Sequence, residues 1–230
     1  GNPLQGNPTL QAGIPAGGKA VLNYEERVGV PVVKVMINGH TYSFLFDTCA
    51  GYTCVSDKLV NTEKLAYQQT GNTVIGMQGT LNMAVVPELT MGGLTLKNQV
   101  AAVMSEQNPA FQTLGIDGII GAPIINNYVV IIDSRSKMIT LSGETDATIV
   151  RWDTLSLHGS DPLLAIKVQG KDELYDVPAL FDTGNGTGAI ALPSAQGFEE
   201  WAKAGVIGHV EKGEGFNAVM IGGISKTTDK

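Results

Sequence analysis

Two four-residue strings, Leu45-Phe46-Asp47-Thr48 and Leu180-Phe181-Asp182-Thr183, each close an apolar run with an aspartate. A single copy reads most simply as a strand ending in an Asx-type turn. Two copies suggest chemistry. If two related lobes each present one such aspartate, a pseudo-twofold arrangement brings the carboxylates together at the interface. Like charges about 3 Å apart cannot both ionise, so the pair would hold one proton between them. The ionised partner would take a proton from a bound water while the protonated one polarises a scissile carbonyl, which suits peptide hydrolysis without a covalent intermediate. Thr48 and Thr183 are expected to brace the two turns by hydrogen bonds across the interface, and the apolar residues before each Asp strengthen those bonds by lowering the local dielectric.

The elements that must position these residues also repeat. Pro31-Val-Val-Lys-Val-Met-Ile-Asn-Gly39 aligns with Pro162-Leu-Leu-Ala-Ile-Lys-Val-Gln-Gly170, with Pro, apolar and polar-Gly places in common. In the first copy, Asn38-Gly39 marks a tight hairpin turn, and Tyr42, Phe44 and Phe46 alternate toward Asp47. A four-residue insertion in the second hairpin loop, across residues 171–178, accounts for the longer spacing there. Further strands are expected at 73–75, 83–86, 94–96, 100–104, 129–132 and 138–141. Helix is the minority: Asn108-Pro109 begins one short turn, residues 123–128 form another, and residues 195–204 form the longest, with Ser194 as N-cap and Phe198 and Trp201 on its packed face. The expected division is a flexible N-terminal arm over 1–22, a first lobe over 23–142, a linker over 143–160 and a second, partial lobe over 161–230.

With these residues in place, the chain resembles the pepsin/retropepsin superfamily of aspartic proteases, and more closely its bacterial retropepsin-like members. Residues 28–142 carry the resemblance as a complete lobe: the motif at Asp47, a Gly-rich hairpin at 71–83 in the place of the substrate-covering flap, and Asp117-Gly118-Ile119-Ile120-Gly121, like the family's apolar-apolar-Gly strand behind the catalytic turn. The run from Asp117 to Tyr128-Val129-Val130-Ile131-Ile132-Asp133 is similar to that of the bacterial members. The resemblance implies an all-β fold of acid-protease β-barrel lobes with an internal repeat whose second lobe is incomplete. It implies Asp47 and Asp182 as the catalytic pair, Thr48, Thr183, Cys49 and Gly184 supporting the turns, and Gly76, Met77, Gln78 and Gly79 as the flap tip. Ile119, Ile120 and Gly121 would form the strand behind. The partner implied is a peptide or protein substrate in extended conformation, and no cofactor is implied. Relatives of this kind are often exported, which points to the periplasm or cell surface.

Two departures bear on these expectations. The first motif reads Asp-Thr-Cys, placing a Cβ and thiol at Cys49 where the family carries glycine. In the second copy, the nearest imitation of the apolar-apolar-Gly strand is Val219-Met220-Ile221-Gly222, about 37 residues after Asp182 against about 74 in the first copy; the expectation is truncation. Two alternatives therefore stand beside the peptidase: a non-catalytic peptide-binding protein that keeps the fold, and a homodimer pairing Asp47 from two chains.

Composition narrows the remaining classes. Hydrophobic residues are 43% of the 230, and charged residues 16% against a usual ~25%, so the chain is not of the disordered, highly charged kind. The 29 glycines and 10 prolines fall between short β-branched runs, favouring strands joined by tight turns. A net charge of −7 without a Lys/Arg cluster argues against nucleic acid. No run approaches the ~18 apolar residues of a membrane span, and the Gly/Pro/Asn-rich start lacks the basic and apolar regions of a signal peptide. Three scattered histidines and two cysteines argue against a metal site or a disulfide scaffold. Cys49 and Cys54 read as free thiols more readily than as a bridge. The Gly184-Asn-Gly-Thr-Gly188 run lacks the Gly-Lys-Ser/Thr ending of a phosphate loop. Asp117 and Asp133 read as turn and strand-end residues, while Tyr52 fits substrate contact or packing equally.

Overall fold

Alternation and turn chemistry build the first elements. Ala20 and Leu22, then Val33, Val35 and Ile37, then Phe44 and Phe46 point to one side of successive strands and are buried. Each such Val, Leu, Ile or Phe side chain contributes about 1.5–3 kcal/mol when fully removed from water. The Asn38-Gly39 turn has both residues at positive φ, +50° and +78°, the conformation whose twist matches the flanking strands.

The computed structural model describes residues 19–69, 81–143, 155–186, 195–207, 217–220 and 223–226. In chain order the first part holds β1 (Lys19–Arg27), β2 (Val30–Ile37), β3 (His40–Phe46), β4 (Cys54–Ser56), α1 (Asp57–Glu63), β5 (Tyr67–Gln69), β6 (Asn82–Met91), β7 (Leu94–Met104), α2 (Pro109–Leu114), β8 (Gly118–Ile120), α3 (Ala122–Ile125), β9 (Val129–Asp133) and β10 (Met138–Ser142). The second part holds β11 (Leu155–His158), β12 (Asp161–Gln169), β13 (Leu174–Leu180), α4 (Ala195–Lys203), β14 (Asn217–Met220) and β15 (Gly223–Lys226).

One sheet runs β5-β6-β7-β4-β8-β3-β2-β1-β10-β9 and curls so that β6 also pairs with β2, at Met36 and Thr90. Two cores fill it. The larger gathers the side chains named above with Leu89, Met91, Leu94, Leu96, Ile120 and Leu141. The smaller lies across the sheet, around Val32, Leu45, Cys54, Met104, Phe111 and Ile119. Strand β8 threads between β3 and β4, parallel to the first and antiparallel to the second. That threading needs glycine at both ends of the apolar pair. A methyl at Gly118 would lie 2.4 Å from the Phe44 ring, and one at Gly121 would lie 2.4 Å from the Tyr52 carbonyl oxygen.

The second part has a three-stranded sheet, β11-β12-β13, and a separate β14-β15 hairpin. Register relates the two main hairpins: Val32 faces Leu45 in the first, and Leu163 faces Leu180 in the second. The loops differ as the spacing requires. Ile37 and His40 close the first across two residues, whereas Val168 and Tyr175 are followed by one further pair, Gln169 with Leu174, before a four-residue loop. Surroundings differ as well. Leu45 is 5% exposed beneath the smaller core, but Leu180 at the matching register is 51% exposed, because no strand among the described residues lies along β13 as β8 lies along β3.

Several boundaries differ from expectation. The arm expected over 1–22 gives way to strand at Lys19, because Ala20 and Leu22 are buried and β1 pairs residue by residue with β10, Lys19 opposite Ser142. The linker expected over 143–160 contains β11, tied to β12 from Leu155–Leu164 to His158–Asp161. The strands expected at 94–96 and 100–104 are one, β7, because β6 pairs along its whole length. Val219 and Met220 pair with β15 and not with β13. Helix α1, absent from the expectations, is capped by Ser56, whose Oγ accepts from Leu59 N at 3.0 Å. The strand at 73–75, the flap residues Gly76, Met77, Gln78 and Gly79, the Ser194 cap, residues 1–18 and most of 208–222 lie outside the described residues. No described helix is long and apolar enough to cross a membrane.

Candidate active site

Asp47 follows the last residue of β3, with its backbone fixed before its side chain is considered. Its N–H donates to Ile120 O at 3.0 Å, so the β3–β8 ladder runs directly into the turn. Within the turn Ala50 N donates to Asp47 O at 3.3 Å, and Cys49 N donates to the Asp47 carboxylate at 2.9 Å. Behind it, Ala122 N donates to Ala50 O at 2.8 Å and Gly121 N to the Thr53 hydroxyl at 3.2 Å. Ile119 and Ile120 of β8 thus back the Asp47 turn, while Gly121, expected in the same strand, lies one residue past its end as the N-cap of α3. Asp117, just before it, accepts from Ser43 N at 3.0 Å and serves the backbone.

The Asp182 turn repeats the local pattern. Gly184 N donates to the Asp182 carboxylate at 2.8 Å, and Asn185 N donates to Asp182 O at 3.2 Å. The turns are joined by reciprocal bonds. Thr48 N donates to Thr183 Oγ1 at 3.0 Å and Thr183 N to Thr48 Oγ1 at 3.1 Å. The hydroxyls then donate across the interface, Thr48 to Phe181 O at 2.5 Å and Thr183 to Phe46 O at 2.7 Å. Each threonine hydroxyl therefore accepts a backbone N–H and donates to a backbone carbonyl across the junction.

This junction brings the carboxyls of Asp47 and Asp182 into hydrogen-bond contact. The Asp47 pKa is pushed up to about 7. Burial is the largest cause, followed by the Asp182 charge; the Cys49 N–H opposes the shift, and the bond to Asp182 adds to it. Gly184 is pressed against this carboxylate: a methyl there would lie 2.6 Å from Asp47 Oδ2. Asp182 is exposed. The pair is thus uneven, with Asp47 half-buried beneath Gly184 and Asp182 exposed.

Cys49 and Cys54 are both free thiols. Cys49 is half-buried, its Sγ 3.5 Å from Phe181 O. Burial, and then the charges of Asp182, Asp161 and Asp47, push its thiol up to about 12, so it is a neutral wall group and a poor nucleophile. Cys54 belongs to the smaller core. Tyr52 is exposed beyond the turn, its carbonyl against Gly121. Phe198 and Trp201 are half-buried on α4, and Trp201 shares a hollow of about 330 Å³ with Tyr175, Val177 and Val206.

Sequence reasoning missed one participant, the turn between β1 and β2. A methyl at Gly29 would lie 2.3 Å from Gly186 O, so this turn touches the backbone just beyond Asp182. Its sequence signal is a glycine after a valine, Val28-Gly29.

Residues 33–124 match the family model described as aspartyl protease. The match spans β2 to α3 and includes Asp47 and Ile119 to Gly121, but not Asp182. Among solved structures, a retropepsin-like aspartic protease from Rickettsia conorii is similar at 17% identity, covering 54% of this chain and 89% of its own, with a TM-score of 0.39. No curated protein matches the chain.

Proposed function

We propose that this chain, which resembles the retropepsin-like aspartic proteases across residues 33–124, is an aspartic endopeptidase that hydrolyses peptide bonds with Asp47 and Asp182. The observation that carries the reading is the reciprocal threonine junction, which holds two aspartate turns of one chain so that their carboxyls share a hydrogen bond. Two β-hairpins of matching register deliver these turns, and we read them as copies of one unit.

The unevenness of the pair supports a division of roles. Asp47, sheltered and shifted to about 7, keeps the shared proton and donates it to the scissile carbonyl oxygen. Asp182, exposed, acts as the carboxylate that takes a proton from the attacking water. Water oxygen bonds to the carbonyl carbon, giving a tetrahedral diol. The C–N bond then breaks as the amine nitrogen takes that proton from Asp182 and a diol hydroxyl returns one to Asp47, leaving a carboxylic acid, a free amine and the pair in its starting state. The Cys49 and Gly184 N–H groups, bonded to the carboxylates, fix their orientation through the cycle. A substrate in extended conformation would lie across the two turns.

The test is cleavage of an unfolded protein substrate at acidic pH, with and without a statine-type inhibitor. Cleavage that the inhibitor blocks, and that falls by at least about 10²-fold in Asp47→Asn, is expected. Peptide binding without cleavage from pH 3 to 8 would replace the peptidase with a binding protein of the same fold.

A further inference from the structure

Among the described residues of the first half, three two-residue turns have both residues at positive φ. In two of them the first residue suits that conformation, Asn38 before Gly39 and Gly92 before Gly93. The third has Val28 at φ +49° before Gly29 at +77°, and a β-branched residue there is a steric outlier. The valine gains no burial in exchange, being 69% exposed. A strained residue persists only where its surroundings over-determine it.

The surroundings here are the second aspartate turn. A methyl at Gly186 would lie 2.2 Å from Val28 O and 3.2 Å from Val30 Cγ1, and a methyl at Gly29 would lie 2.3 Å from Gly186 O. Backbone meets backbone, and neither glycine can gain a side chain unless the two segments separate. The β1–β2 turn is itself anchored in the first half, because Arg27 Nη1 donates to Leu114 O at 3.1 Å and Gly115 O at 2.9 Å, the carbonyls closing α2. Gly186 lies two residues beyond Gly184, whose α-carbon rests on the Asp47 carboxylate.

We propose that the Gly29–Gly186 seam is a positioning device that presses the Asp182 turn onto the Asp47 turn and sets the spacing of the two carboxyls. The threonine bonds hold the turns together where they cross, but bonds gathered at one place resist separation better than rocking. The seam adds a second point of support, set apart from the threonines. Gly29 and Gly186 act through the dyad and touch no substrate. This assignment rests on the dyad reading above.

The experiment follows the Asp47 carboxyl by ¹³C NMR in the full chain labelled at aspartate. In the unaltered protein Asp47 should titrate near 7. Gly186→Ala adds a methyl without a left-handed backbone, so the first half should keep its amide spectrum while the Asp47 midpoint falls by at least about one unit as Asp182 recedes. Gly93→Ala is the control: Gly93 has φ +87° and open space around it, so this variant is strained but should leave the midpoint in place. Should Gly186→Ala fail to fold, Gly29→Ala probes the same seam from the other side. A midpoint unmoved in the seam variants, or moved as far in Gly93→Ala, would overturn the proposal. An Asp47 midpoint in the ordinary carboxylate range in the unaltered protein would instead overturn the dyad reading, and the seam's role with it.

Discussion

Asp47 is a half-buried acid with a second carboxyl beside it, and both conditions favour its neutral form. The folded chain therefore holds a proton between the ordinary carboxylate range and pH 7 that the unfolded chain has released. Stability falls as pH rises through that window, and the penalty is complete above about 7. Asp47→Asn should accordingly stabilise the protein at pH 8, by a few kcal/mol at most, and change little at pH 4; thermal melts at the two pH values check this. Cleavage by the unaltered chain should decline as pH rises through about 7, when the shared proton is lost. Thr48→Val leaves Thr183 N without its acceptor and should cost about 1–3 kcal/mol in denaturant unfolding, while Thr48→Ser restores both stability and rate. The two Asp-Thr pairs and their cross-bracing were legible because the same four letters occur twice. The sheltering of Asp47 was not, because Gly184, which lies against its carboxylate, is more than a hundred residues away in sequence.

At the scale of elements, the site depends on how β8 passes behind the first turn. Gly121→Ala would drive a methyl into the Tyr52 and Ala50 carbonyls, which are backbone and cannot turn aside. A loss of about 1–3 kcal/mol, read by chemical denaturation, is expected together with reduced cleavage. Helix α1 offers a milder perturbation: Ser56→Ala removes the cap on Leu59 N and should cost about 1 kcal/mol while leaving the dyad alone. The long alternating strands and the Asn38-Gly39 turn were readable from period and turn chemistry. The β1 start was not, because Ala20 and Leu22 follow directly on a Gly/Pro-rich stretch and their partner, β10, comes more than a hundred residues later. Helix α1 was missed because seven residues give too short a window for a helical period, although Ser56 and Asp57 formed a readable cap and first turn.

Across the whole molecule the two halves contribute unequally. The first closes its sheet around two cores; the second presents β12 and β13 with Leu174 and Leu180 about half exposed. Hydrogen exchange should therefore be faster in β12 and β13 than in β2 and β3, despite matching register, and equal protection would contradict this account of the burial. The repeat made two halves legible in the sequence, but their unequal packing was hidden because it depends on what lies beside β13. A lightly packed second half can still supply a carboxyl, since the threonine junction and the glycine seam hold its turn against the first. That dependence makes Asp182→Asn the most direct test of the central claim, that one chain provides both aspartates. Measured on an unfolded protein substrate at acidic pH, the variant should retain no more than about 10⁻² of the unaltered rate. Full cleavage by Asp182→Asn would contradict the account and point to two chains pairing Asp47 with Asp47.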